Sequence, residues 1–124
     1  MMDTNSQERR KYKRRNLIFY IPVIETNGQK TIGRIADISP KGFRLDSQYP
    51  IPLGKDYQLG INTTPDIADI GFIGFVARSK WCQADKIEPC QYYIGFDIVD
   101  IAPQAAEIVQ CIVEKYGEQE VPVL

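Results

Sequence analysis

Six short segments rich in β-branched and aromatic residues, separated by turn signals, make up most of this 124-residue chain. Asn27-Gly28 is a strong signal for a hairpin turn between the first two segments. Proline and glycine interrupt residues 49–55, which we predict to be a loop because proline cannot donate to a sheet. We predict strands within the segments 16–28, 30–38, 43–47, 56–62, 70–81 and 90–100. Short strands joined by short turns favour a small antiparallel barrel.

The C-terminal segment has a different pattern. From Pro103 onward, apolar residues recur at positions 105, 108, 109, 112 and 113, which is the spacing of one helical face. Pro103 suits the first helical turn and Gly117 suits the C-terminal cap. Because amphipathic terminal helices usually dock on their own domain, we predict that helix 103–117 packs on the barrel.

The sequence contains no histidine. Its absence removes the usual general base and the commonest zinc ligand. No spacing of carboxylates along the chain argues for hydrolysis instead. We therefore predict a binding protein that is not an enzyme and needs no cofactor or metal.

Charge is distributed unevenly along the chain. Six of the 15 basic residues lie between Arg9 and Arg15, whereas the chain as a whole carries 16 acidic residues and a net charge of −1. A basic arm on an acidic body favours a local anion site over an extended nucleic-acid track. No apolar run suggests a membrane span or a signal peptide, and three cysteines do not make a secreted disulfide framework. We expect a cytoplasmic protein without membrane contact.

The two most distinctive stretches are ERRKYKR at residues 8–14 and DISPKG at residues 37–42. Together they resemble the two signatures of the PilZ domain, the bacterial receptor module for cyclic diguanylate (cyclic di-GMP, c-di-GMP). One signature is Arg-x-x-x-Arg in an N-terminal loop, and the other is Asp/Asn-x-Ser-x-x-Gly at the end of a strand. The matching positions are Arg10 and Arg14 in the first stretch and Asp37, Ser39 and Gly42 in the second.

The resemblance covers about residues 8–117 and implies the fold of the family. That fold is all-β-dominated, a six-stranded antiparallel PilZ-type β-barrel with a C-terminal α-helix packed on it. Gly95-Phe96 also resembles, with looser spacing, a glycine and phenylalanine pattern in the family's last barrel strand. We divide the chain into a flexible tail at 1–8, a basic ligand-binding loop at 9–16, the barrel with its helix at 17–117, and a tail at 118–124.

The resemblance implies that the five motif residues bind cyclic di-GMP, and their chemistry suits that ligand. An arginine fork pairs with phosphate or with the N7/O6 edge of guanine, and it stacks on a purine face. Asp37 can accept from the ring N–H and amine of guanine, and Ser39 can donate to phosphate or base. Gly42 allows a positive φ and lets the ligand approach closely.

Arg9 is the sixth candidate ligand-binding residue. In PilZ domains, an arginine just before the Arg-x-x-x-Arg motif goes with an intercalated pair of dinucleotides. Two stacked dinucleotides bring four phosphates together, and a third guanidinium next to Arg10 would offset part of that charge. The resemblance therefore implies two cyclic di-GMP molecules per domain.

Purely structural interpretations compete with these assignments. Asp37 and Ser39 can serve as turn residues that bond to nearby backbone, and Gly42 can be only a turn glycine. Arg9 can be solvated charge, as the lysines of the arm are. Trp81 is expected in the core or at its rim rather than against a ligand.

The leading functional prediction is a cyclic di-GMP receptor module. Its basic loop closes over the dinucleotide and presents a new surface to an unidentified protein effector. One alternative is a PilZ-like adaptor acting by protein contacts only, against which the complete motifs argue. The other is a small nucleic-acid-binding barrel with a basic arm, which the acidic body makes an unfavourable interpretation.

Overall fold

The computed structural model describes residues 15–117, in which six strands are followed by one helix. The strands are β1 (Arg15–Glu25), β2 (Lys30–Ser39), β3 (Gly42–Ser47), β4 (Asp56–Asn62), β5 (Phe72–Ala84) and β6 (Tyr92–Asp100), and the helix is α1 (Pro103–Tyr116). β1 begins two residues before the predicted start of the barrel, so residues 15 and 16 belong to the sheet.

All six strands are antiparallel to their neighbours and close into a barrel in the order β1-β2-β3-β6-β5-β4. The barrel closes where Ile24 and Glu25 of β1 pair with Gly60 and Leu59 of β4. The predicted six-stranded barrel with a C-terminal helix is confirmed.

Alternate residues of the strands fill the barrel interior. Phe43 and Leu45 of β3 face Phe96 and Ile94 of β6, and all four side chains are fully buried. The rings of Phe43 and Phe96 stack with centroids 5.1 Å apart and planes 15° apart. The residues between them in sequence therefore face outward, which defines the barrel surface discussed below.

Helix α1 covers one side of the barrel through the predicted face. Its buried residues are Ala105, Ile108, Val109, Ile112 and Val113, and it contacts β1, β2 and β5. Pro103 is in the first turn, and the amide of Gly117 donates to the carbonyl of Val113 at 3.1 Å. Within residues 15–117, no helix is both long and apolar enough to cross a membrane.

The predicted hairpin between β1 and β2 is present. Glu25 pairs with Lys30, so its loop has four residues, 26–29, with Asn27-Gly28 in the middle. The loop residue with positive φ is Gln29, at 51°. The left-handed conformation therefore lies at the last position of the loop.

Candidate functional site

The DISPKG stretch forms the tip of the β2–β3 hairpin. Ser39 pairs with Gly42 across a two-residue turn. The Ser39 side chain is buried, donating to the carbonyl of Gly42 at 3.4 Å and accepting from the amide of Lys41 at 3.3 Å. Both distances are at the long end for hydrogen bonds, so the hydroxyl braces the turn only weakly.

Gly42 is required by packing between strands. A Cβ at this position would lie 2.2 Å from the carbonyl oxygen of Phe96 in β6, a backbone atom that cannot swing away. Gly42 does not use the positive φ that glycine allows, since the glycines with positive φ among residues 15–117 are Gly33 and Gly54. The close approach is to β6 itself, because Gly42 begins β3 and pairs there with Asp97.

Strand register places Asp37 in a row that crosses five strands of the barrel. Asp37 lies opposite Asn16 of β1 on one side and Arg44 of β3 on the other. Arg44 pairs with Gly95 of β6, which in turn pairs with Trp81 of β5. We call Asp37, Arg44, Gly95 and Trp81 the ligand row, after the role proposed for them below.

Arg44 lies between two carboxylates. Its Nη1 is 3.6 Å from Oδ2 of Asp37, and its Nε donates to Oδ1 of Asp46 at 3.2 Å. The Asp37 side chain is 12% exposed and the Arg44 side chain 34%, so the guanidinium is the more accessible of the two. Burial raises the pKa of the Asp46 carboxyl, and the neighbouring Arg44 guanidinium offsets that effect only in part.

The indole of Trp81 lies over Gly95 on the outer surface of the barrel. A Cβ at residue 95 would lie 2.1 Å from the indole Nε1, so only glycine leaves room for the ring. Trp81 keeps 39% of its surface exposed. The structure therefore places a broad aromatic face on the ligand row, where the sequence had predicted a core or rim residue.

A polar chain continues from the ligand row to the β5–β6 loop. The guanidinium of Arg44 lies 5.3 Å from the ring centroid of Tyr93, within cation–π distance. The Tyr93 hydroxyl donates to Asp85 at 2.5 Å, and Asp85 also accepts from the amides of Ile87 and Glu88. The bond from Tyr93 is the main cause that lowers the pKa of Asp85 and raises that of Tyr93.

A groove of about 710 Å³ adjoins the ligand row. Its lining includes Arg34, Asp46, Tyr49 and Tyr93.

The residues 15–117 bring together no group of three or more side chains suited to holding a metal ion. The site therefore consists of charged, aromatic and glycine positions on an open barrel face.

The predicted site residues divide into two groups. Asp37, Ser39 and Gly42 come together at the β2–β3 hairpin, whereas Arg9, Arg10 and Arg14 lie outside the described residues. The roles of all six residues in ligand binding stay predictions.

Neither Arg44 nor Trp81 belongs to the two sequence signatures, and Trp81 was expected in the core or at its rim. Both are cross-strand neighbours that only the register reveals, since β3 and β6 pair across about fifty residues of sequence. The available signal was Gly95, the glycine within the pattern noted in the last strand.

Comparison with known proteins agrees with this fold. The PilZ domain family model matches residues 8–115. No curated protein sequence matches the chain.

Two solved structures have a similar fold. The Bacillus subtilis inhibitor of motility MotI/DgrA superposes with a TM-score of 0.64 at 16% identity, covering 86% of this chain and 50% of that one. Escherichia coli YcgR in complex with c-di-GMP superposes with a TM-score of 0.63 at 18% identity, covering 86% of this chain and 45% of that one. The chain thus spans about half the length of either structure.

PilZ domains are a family of non-catalytic receptors for cyclic di-GMP. The family match covers most of the sequence, and the barrel with its terminal helix is the fold of that family. The chain therefore belongs to the PilZ domain family.

Proposed function

We propose that this chain is a cyclic di-GMP receptor whose basic arm and ligand row bind the dinucleotide from two sides. The observation that carries the proposal is the pairing of Asn16 with Asp37 at the start of β1. Arg14 precedes β1 directly in sequence, so the covalent chain keeps it close to Asp37. Arg10 is six residues from Asn16, which limits its backbone to roughly 20 Å from that row.

The two sides offer complementary chemistry to a guanine dinucleotide. Asp37 accepts from the Watson–Crick edge of guanine, and the arm arginines pair with the phosphates. Trp81 supplies a face on which a base can stack. Neighbouring strands are about 4.8 Å apart, so the indole over Gly95 lies roughly 10 Å from Asp37. That distance allows one ligand to contact both residues.

The YcgR chain in the structural comparison is in complex with c-di-GMP, which supports the same ligand class for this chain. Binding would order the arm against the barrel and so change the surface offered to a protein effector. An arm held in this way has a role as a switch rather than as a catalyst.

Ligand titration of arm variants tests the proposal. We expect Arg10→Ala and Arg14→Ala each to weaken cyclic di-GMP binding by about 1.5–3 kcal/mol, the scale of a hydrogen bond to a charged group. Lys11→Ala and Lys13→Ala remove the same charge from the same arm outside the motif and serve as matched controls. Isothermal titration calorimetry with all five proteins gives the comparison. If the motif and control variants lose equal affinity for cyclic di-GMP, the arm attracts the ligand only by its overall positive charge.

The number of bound ligands is a separate part of the proposal and depends on Arg9. We expect two cyclic di-GMP molecules per domain, because a further guanidinium offsets part of the charge of four phosphates. Arg9→Leu should shift the calorimetric count towards one while binding persists. A count of one for the unaltered chain would contradict the role of Arg9 and leave Arg10 and Arg14 in place.

A further inference from the structure

Arg44 belongs to neither sequence signature, yet it occupies the middle of the ligand row. It pairs with Asp37 on one side and with Gly95 on the other. A ligand that contacts both Asp37 and Trp81 has to pass over it. The inference that follows rests on the proposed receptor function.

The contact between Arg44 and Asp37 is the weaker of the two ion pairs that Arg44 makes. The 3.6 Å between Nη1 of Arg44 and Oδ2 of Asp37 exceeds the range of an N–H···O hydrogen bond. Asp37 is buried, so this contact can be exchanged at little cost only if another donor replaces the guanidinium. The ring N–H and amine of a guanine are such donors, so a ligand can take over the contact with Asp37.

Arg44 is held in place independently of Asp37. Its Nε donates to Asp46 at 3.2 Å, and its guanidinium lies on the ring of Tyr93. Tyr93 is fixed in turn by its bond to Asp85. Because these contacts orient the guanidinium before any ligand arrives, little side-chain entropy is lost on binding.

Asp37 and Arg44 together present an acceptor beside a donor. Guanine carries its ring N–H and amine donors next to its O6 acceptor, with N7 beyond. A guanine whose N–H groups face Asp37 thus turns its O6/N7 edge towards the Nη groups of Arg44. Adenine places an amine donor where guanine has O6, and a guanidinium has no acceptor to offer it.

We propose that Arg44 is a ligand-contacting and specificity-determining residue, which reads the O6/N7 edge of the guanine whose Watson–Crick edge Asp37 binds. Base selection is then shared between two adjacent strands. Loss of Arg44 reduces both the affinity for cyclic di-GMP and the preference over cyclic di-AMP.

The test is titration of the intact chain and its Arg44→Ala and Arg44→Lys variants with both dinucleotides. Arg44→Ala should weaken cyclic di-GMP at least about tenfold, within the discrimination that a bidentate arginine–guanine pair provides. The ratio of the two affinities should fall with it. Arg44→Lys keeps the charge but not the fork, so it should recover only part of both effects.

Lys30→Ala is the matched control, because Lys30 begins the same strand that carries Asp37 and lies about 20 Å away along it. It should leave affinity and selectivity unchanged. Thermal unfolding establishes whether each variant folds. If Arg44→Ala does not fold, the affinity and selectivity of Arg44→Lys provide the test.

Three outcomes would overturn the inference. Unchanged affinity and selectivity in Arg44→Ala would remove Arg44 from the site, provided that Asp37→Ala still abolishes binding. An Arg44→Lys variant equal to the unaltered chain would show that only charge is used. Failure of the unaltered chain to bind cyclic di-GMP would remove the proposed function and this inference together.

Discussion

The indole of Trp81 covers Gly95 so closely that a Cβ at position 95 fits only if the ring moves. A Cβ there would lie 2.1 Å from Nε1 of the ring and 2.3 Å from Cε2. We expect Gly95→Ala to push the indole away from the strand and to weaken cyclic di-GMP binding. Trp81 is the single tryptophan of the chain, so its fluorescence reports the displacement directly.

Gly74→Ala is the control for that substitution. Gly74 lies inside β5, and a Cβ there would make ordinary contacts at 3.6 and 3.8 Å. Its emission spectrum and its affinity should match those of the unaltered chain. An unshifted spectrum in Gly95→Ala would contradict the packing described here.

Trp81 also permits a test of stacking. Trp81→Ala should weaken cyclic di-GMP binding by about 1–3 kcal/mol, the usual effect of losing one base–aromatic stack. The matched control is Phe72→Ala at the other end of β5. Phe72 is 40% exposed, like Trp81 at 39%, and its ring similarly covers a glycine, Gly60. Calorimetry that finds equal losses in the two variants would argue against a stacking role for Trp81.

The side on which Trp81 lies could not be predicted from alternation. Ile73, Phe75, Ala77 and Ser79 are buried at every second position of β5, and the same alternation would direct Trp81 inward. A register shift between Ser79 and Trp81 reverses the alternation and brings the indole to the surface. Strand periodicity predicts where strands lie, but a bulge of one residue changes which face a side chain occupies.

Other parts of the molecule follow from sequence pattern alone. The helical face of α1 and the full extent of β4 were predicted residue for residue, since both have uninterrupted periodicity and clear boundaries. Asp37, Ser39 and Gly42 were found because they are close together in the chain. Arg44 was not, because its place opposite Asp37 depends on the register of the β2–β3 hairpin, and its neighbours Gly95 and Tyr93 belong to a strand about fifty residues away.

Gly42 provides a prediction about stability rather than binding. Gly42→Ala should lower the free energy of unfolding by about 2 kcal/mol or more, since the new Cβ meets the backbone carbonyl of Phe96 and overpacking has this scale. Gly28→Ala is the control, because nothing lies within 4 Å of a Cβ there. Urea unfolding of the two variants measures the difference. If the free energy of unfolding of Gly42→Ala equals that of the unaltered chain, β3 and β6 can move apart at this point without a loss of stability.

From the contacts of Asp66 we predict that the stability of the fold depends on pH. It accepts from the hydroxyls of Thr64 and Tyr116, and Nζ of Lys115 is 3.3 Å from its Oδ2. These contacts, with the Thr64 bond first, hold the pKa of Asp66 well below its usual range. A depressed folded-state pKa stabilises the fold above the unfolded value of about 3.9, and the contribution is lost as the pH falls below it.

Asp66→Asn should therefore lower the melting temperature near neutral pH, and the difference from the unaltered chain should shrink in acid. Asp69→Asn removes an exposed carboxylate from the same loop and serves as the control. Calorimetric melting at several pH values gives the result. A constant difference across the acid range would show that the Asp66 contacts do not depend on its charge.

We propose that this PilZ domain binds cyclic di-GMP through a guanine held at Asp37. The decisive experiment is titration calorimetry of the intact chain with cyclic di-GMP and with cyclic di-AMP under the same conditions. We expect saturable binding of cyclic di-GMP and far weaker binding of cyclic di-AMP, because adenine has no ring N–H for Asp37. Absence of saturable cyclic di-GMP binding, or equal affinity for the two dinucleotides, would show that Asp37 does not select guanine.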